Sequence, residues 1–256
     1  MQTNLTLNEN ERLDKVNDNI DLIQRKDGLT FGTDALLLSA YICANNKKCV
    51  ELGSGTGIIS LLLLQRKKAA RVYAYEIQPE FAELTERNAR LNGFSDRMTV
   101  ISGDVRDASS KDIAGEADIV FSNPPYMRNG AGLSNSSIEK NIARREICGG
   151  IADFCLSAKR LLKFGGKFYC VYRPERLAEL ICSLKAASLQ PKKLTLVHPI
   201  QDAPPSLVLV EARYGGGEEL CISRPLVIYK DTSHTEYTQD LKYIYENGSF
   251  PEERFR

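Results

Sequence analysis

The residues best suited to chemistry stand together in Ser122-Asn123-Pro124-Pro125-Tyr126. Two consecutive prolines remove two backbone donors and fix two φ angles, and Pro124 pushes Asn123 into an extended conformation. The segment is therefore a rigid corner offering a side-chain amide, a backbone carbonyl with no N–H beside it, and an aromatic ring. An exocyclic amino group presents two N–H donors on a flat π-system. The Asn123 amide oxygen and the Pro124 carbonyl can accept both, while Tyr126 stacks on the ring. Such a corner holds a planar amino group for attack on an electrophile. Read alone, the same residues also make an ordinary turn, because Asn-Pro opens many turns.

Two stretches must position this corner. Ala117–Phe121 is a short apolar run that reads as a buried strand, ended by the prolines. Upstream, Cys49–Leu52, the turn Gly53-Ser54-Gly55-Thr56-Gly57 and the apolar run Ile58–Leu64 read as strand, Gly-rich loop and helix, the first βα unit of a Rossmann-like sheet. The glycines allow positive φ and close approach of a ligand. Gly-x-Gly-x-Gly with Glu51 two residues before it departs from the dinucleotide pattern Gly-x-Gly-x-x-Gly, and no Gly-Lys-Ser/Thr is present. A carboxylate at Glu51 would repel a pyrophosphate. It suits a ligand carrying an ammonium, such as the methionine end of S-adenosylmethionine (SAM).

Two more strands end near acids. Glu76 closes Arg71–Glu76, 19 residues after Gly57, where an acid can take a ribose diol. Asp104 ends the stretch Met98–Asp104, read as the third strand, and could accept from an adenine amino group. Any one such acid is ordinarily a turn or cap residue; the series after a Gly-rich loop and before Asn-Pro-Pro-Tyr is not. If the first strand is central, with the second and third on one side and the fourth on the other, the Gly loop and Asn123 flank the switch point of the sheet.

The remaining chain supplies the frame. Residues 1–18 are polar and read as frayed or loosely helical, and Ile20–Gln24 as a half-exposed strand. Thr33 or Asp34 reads as the N-cap of a helix through Tyr41, with Asp34 a secondary ligand candidate. Residues 127–146 read as a loop over the substrate. A helix to about Leu162, a Gly165-Gly166 turn, the strand Lys167–Tyr172 and the helix Leu177–Ala187 follow. Leu194–Val197 and Leu207–Ala212 are expected to close the sheet as antiparallel strands. Pro225–Tyr229 and Tyr237–Tyr245 form a C-terminal addition over 225–247. The expected architecture is a single α/β domain over 1–256, with a doubly wound, mostly parallel seven-stranded sheet.

Composition narrows the classes. Of 256 residues, 43% are apolar and 26% charged, ordinary for a globular protein. No apolar run approaches the ~18 residues that span a bilayer, and the N-terminus lacks the order of a signal peptide, so a cytoplasmic location is expected. Of seven cysteines without a C-x-x-C pair, most sit in apolar stretches and read as core residues of a reduced protein, and with two distant histidines no zinc site is expected. Net charge is only +1, but Glu139–Arg176 carries nine Lys/Arg against four Asp/Glu. That bias is either a solvated helix face or a phosphate-contacting surface.

Taken together, Glu51–Gly57, Glu76, Asp104 and Asn123–Tyr126 resemble the class I SAM-dependent methyltransferases that modify amino nitrogens. Phe31-Gly32-Thr33-Asp34, Ala143-Arg144-Arg145-Glu146, Pro225–Tyr229 and Tyr237-Thr238 extend the likeness over about residues 17–247, to the bacterial tRNA1(Val) adenine-N6 methyltransferase family. One position departs from the pattern: Arg145 stands where a His is expected. The resemblance implies methyl transfer from SAM to an adenine N6 in tRNA. Asn123, Pro124, Pro125 and Tyr126 would then be catalytic. Asp34, Glu51, Gly53, Ser54, Gly55, Thr56, Gly57, Glu76, Ile77, Asp104, Val105 and Asn123 would hold the cofactor. Lys140, Arg144, Arg145 and Arg173 would face the substrate of a monomeric enzyme without metal or membrane partner. The corner also fits a glutamine side-chain amide in a translation factor, or an amino group of rRNA or DNA; a non-enzymatic SAM- or RNA-binding scaffold is the remaining reading.

Overall fold

The computed structural model describes residues 7–27, 31–125 and 149–255. Tyr126, Lys140, Arg144, Arg145 and the expected 127–146 loop lie outside the described residues.

Five parallel strands form the heart of the sheet: β3 (Lys47–Leu52), β4 (Ala69–Glu76), β5 (Met98–Ser102), β6 (Ala117–Ser122) and β7 (Leu162–Tyr172). β3 lies between β4 and β6, with β5 outside β4, so the chain reverses its direction of travel between β3 and β6. This is the expected switch point, and all five carboxyl ends lie on one edge. β9 (Leu207–Tyr214) inserts antiparallel between β7 and β8 (Leu189–His198). The sheet departs from the expected seven strands. Two-residue strands, β10 (Cys221–Ile222) and β11 (Leu226–Val227), pair parallel along the outer edge of β8 and make nine. They shorten the exposed edge that a seven-stranded sheet would leave.

Helices cover both faces. α1 (Thr33–Tyr41), α2 (Ile58–Gln65), α3 (Pro79–Leu91) and α6 (Gln239–Asn247) contribute to one core, and α4 (Ile151–Leu161) and α5 (Leu177–Ala186) to the other. α2 is buried from Ile58 to Leu64, which explains a helix apolar all round. Its first residue follows Gly57, and its N-terminus points to the sheet's functional edge.

The N-terminal segment corrects the sequence reading. Glu11–Asn17 is not loosely helical; it is strand β1, paired antiparallel with β2 (Ile20–Arg25) in a separate hairpin. β2 is mostly buried rather than half-exposed, since Ile20, Leu22, Ile23 and Gln24 all face the interior. Asn88 on α3 fastens it: Oδ1 accepts from Ile23 N at 2.7 Å and Nδ2 donates to Ile23 O at 3.1 Å. Arg87 adds a two-pronged ion pair with Glu11 at 2.6 and 2.7 Å. Helix α1 also differs in its start: the N-cap is Gly32, not Thr33 or Asp34. Among the described residues no helix is long and apolar enough to cross a membrane, and the six described cysteines are free thiols.

Candidate active site

The site is assembled from the carboxyl ends of β3, β4, β5 and β6. Leaving β3, the chain turns sharply: Gly53 N and Ser54 N both donate to Tyr75 O at 2.9 Å, and Gly57 N donates back to Ser54 O at 2.8 Å. Gly53, Gly55 and Gly57 all have positive φ. At Gly57 two requirements meet, because φ is +78° and a Cβ would lie 2.8 Å from Thr85 Cγ2. The loop must therefore sit against α3 with no side chain between. Thr85 Oγ1 donates to Gly55 O at 2.8 Å, and Asn88 Nδ2 donates to Thr56 O at 3.0 Å.

The three acids have different surroundings. Glu51 is fully buried and accepts from the Ser60 hydroxyl of α2. Burial pushes its carboxyl up to about 8, against the lowering effect of that hydrogen bond. Glu76 is also buried; it accepts from Gly55 N at 2.8 Å and from Gln78 N at 3.0 Å, so one carboxylate shapes the loop and the start of α3. Asp104 caps the short 3-10 turn Val105–Asp107 and accepts from Arg106 N at 2.8 Å and Arg106 Nε at 2.8 Å. The Arg106 side chain holds the Asp104 carboxyl below the usual carboxylate range. An adenine amino group reaching Asp104 would share it with that guanidinium. Ile77 follows Glu76 half-buried, whereas Val105 is buried in the second core with its carbonyl accepting from Ser157 Oγ at 2.6 Å.

The corner is tied to the loop by its neighbours. Ser122 Oγ donates to Leu52 O at 2.6 Å, joining the last residues of β6 and β3. Asn123 Nδ2 donates to Asp34 Oδ2 at 3.0 Å, while Asp34 Oδ1 accepts from Ala35 N at 2.9 Å. With its NH2 thus committed, Asn123 Oδ1 is buried and meets no donor among the described residues. Buried acceptors of this kind are rare unless something binds them. Pro124 is buried and Pro125 exposed. Arg173 leaves β7 at the same edge, half-buried and donating to Ser206 O at 3.1 Å.

These features fit SAM. The Gly loop opens at Gly55, where a Cβ would meet nothing within 4 Å. Glu51 and the N-terminus of α2 would complement the two charges of an amino acid end, Glu76 at the end of β4 would be the acid that takes a ribose diol, and Asn123 Oδ1 is an acceptor with no donor among the described residues. Thr85 and Asn88 belong to the site's support and were missed in the sequence. Small polar residues at positions 85 and 88, on the buried side of α3, were the available signal.

A doubly wound sheet with this order, loop and set of acids defines a class I SAM-dependent methyltransferase. The chain matches the model of the methyltransferase small domain over residues 25–186. It is 31% identical over 200 residues to a tRNA1(Val) (adenine(37)-N6)-methyltransferase of Porphyromonas gingivalis, covering 75% of this chain and 78% of that one. A protein of the same name from Actinobacillus pleuropneumoniae is 28% identical over 87% of this chain and 92% of its own. Among solved structures, a predicted O-methyltransferase from Agrobacterium tumefaciens superposes with a TM-score of 0.68 at 24% identity, over 86% of this chain and 98% of that one. M. jannaschii TYW2 in complex with AdoMet shares the fold at a TM-score of 0.55 and 18% identity, over 82% and 88%. The chain belongs to the methyltransferase small-domain family and groups with the tRNA1(Val) (adenine(37)-N6)-methyltransferases.

Proposed function

We propose that this chain methylates the N6 amino group of an adenine in tRNA, with SAM as donor. The observation that carries the reading is the buried Asn123 Oδ1 just past the end of β6, without a partner among the described residues and across the switch point from the Gly loop. An acceptor held there suits an exocyclic N–H; the names of the relatives supply the nucleic acid.

Bound SAM supplies a sulfonium methyl, whose C–S bond breaks as the N–C bond forms, the electron pair going to sulfur. Asn123 Oδ1 and the Pro124 carbonyl accept the two N6 hydrogens, draw the nitrogen out of conjugation and aim its lone pair. The extra proton on nitrogen then passes to solvent. Tyr126 stacks on the base, which must leave any helical stack to reach the corner. Positioning and electrostatics supply the rate, since no strong base is needed. Lys140, Arg144, Arg145 and Arg173 face the phosphates, and a cytoplasmic monomer suits this work.

The test is Asn123→Ala with labelled SAM and unmodified tRNA. Transfer should fall by at least about 10²-fold with SAM affinity retained. N6-methyladenosine formed at the wild-type rate would overturn the assignment, as would label found in protein and not in tRNA.

A further inference from the structure

The C-terminal addition contains a set of near-parallel rings that the methyl-transfer site does not use. β11 pairs with the carboxyl end of β8, so the chain beyond it emerges at the same sheet edge as Asn123. There it doubles back: Lys230 N donates to Glu236 O at 2.9 Å, Thr238 N donates to Ile228 O at 3.0 Å, and Tyr229 and Tyr237 form an antiparallel bridge. Bridge partners project to one face. Their rings stack at 5.3 Å with 29° between planes, and His234 stacks on Tyr229 at 4.8 Å and 24°. His234 is exposed and sits at φ +54°, a conformation that few side chains adopt, held by an Asp231 turn. Tyr237 is 36% exposed.

The stack also connects to the corner. Tyr237 meets Tyr245 edge-on at 5.5 Å, the helix that carries Tyr245 packs on α1, and Asp34 of α1 holds Asn123.

We propose that Tyr229, His234 and Tyr237 form a stacking platform for unpaired nucleobases of the RNA beside the target adenine. The inference rests on the tRNA reading above. A base extruded for N6 chemistry leaves neighbours without stacking partners, and flat rings on the same edge of the sheet replace them. Stacking suits this surface better than phosphate contact. Lys230 and Lys242 are both paired with Glu236, and the exposed Asp231 sits in the turn that carries His234. The platform therefore adds affinity with little counterion release.

The test compares wild-type protein with Tyr237→Leu, Tyr237→Phe and His234→Asn, the last chosen because Asn tolerates positive φ. Binding and methylation of an unmodified tRNA stem-loop are measured from 50 to 200 mM salt, with SAM affinity as the folding control. Tyr237→Leu should raise the RNA Kd and KM about tenfold or more, by the same factor at every salt concentration. Tyr237→Phe should retain wild-type binding, and His234→Asn should lose a smaller factor. Methylation by the wild type with KM unchanged in Tyr237→Leu overturns the platform alone. A loss that shrinks as salt rises overturns it too, in favour of a charge effect. No transfer to tRNA by the wild type, or transfer only to a protein whose KM tracks Tyr237, overturns the tRNA reading and the platform with it.

Discussion

Asp34 and Asn123, 89 residues apart, share one hydrogen bond that decides which end of an amide is left without a partner among the described residues. Asp34 can only accept, and one of its oxygens already takes the Ala35 N–H. The Asn123 NH2 must therefore turn to Asp34 and its oxygen toward the cleft. Asn123→Asp alone sets two carboxylates face to face. Asp34→Asn alone lets the Ala35 donor claim the single oxygen, presents an NH2 to Asn123 and reverses its amide. Each single variant should lose about 10²-fold in kcat. The exchange Asp34→Asn with Asn123→Asp restores a donor–acceptor pair with an oxygen toward the substrate. It should recover at least tenfold over the weaker single variant in steady-state transfer assays. Additive losses would show that Asp34 does not position the amide.

Glu51 gives the free protein a pH signature. Its folded-state carboxyl stays protonated up to about pH 8, whereas in the unfolded chain it ionises near 4.3. Between those values the unfolded state binds fewer protons, so this group makes stability fall as pH rises from about 4.5 to 8. Above pH 8 its effect is constant. Glu51→Gln keeps the shape without the ionisation, so the variant should gain on wild type from pH 5 to pH 8 in denaturant midpoints. An ammonium beside Glu51 would favour the carboxylate. SAM binding near pH 7 should thus release protons, seen as a buffer-dependent calorimetric heat that Glu51→Gln abolishes.

The glycines of the loop should separate folding from binding. Gly57→Ala imposes a left-handed alanine and a clash with Thr85 Cγ2, and should lose more than the ~1–2 kcal/mol of the backbone conformation alone. Thr85→Ser removes that methyl but keeps the hydroxyl bonded to Gly55 O, and should restore part of the loss. Gly55→Ala has no clash within the protein. Its stability cost should stay near the backbone value while SAM affinity falls. Thermal unfolding and SAM titration on the three variants check both orders.

Asn88 joins hairpin and loop. Asn88→Ala leaves Ile23 N, Ile23 O and Thr56 O without their buried partner, a loss of about 2–3 kcal/mol. Amide exchange at Ile23 should rise, and SAM affinity should fall with it, because the same side chain steadies Thr56.

The sequence disclosed those features whose reason is local. Gly53, Gly55 and Gly57 are spaced for positive φ, Asn123-Pro124-Pro125 stops a strand, and apolar runs mark β3 and β6; their adjacency followed from the switch-point rule. The hairpin was hidden because β1 has few apolar residues, and its hold on the fold comes from Arg87 and Asn88, more than sixty residues downstream. Asp34 looked like a cap because a carboxylate near a helix start caps most of the time. Its bond to Asn123 depends on how α1 packs. Glu51 looked available to a ligand, and its burial against Ser60 depends on a helix laid over the strand.

The Ser122 bond to Leu52 bears on which alkyl donors the enzyme tolerates. It ties the end of β3 to the end of β6, so under the proposed function the gap between the cofactor loop and the amine corner would not widen without breaking a buried 2.6 Å contact. An analogue carrying ethyl or propargyl in place of methyl must find its extra length on the acceptor side. Discrimination among transferable groups would in this way be set by the frame of the sheet.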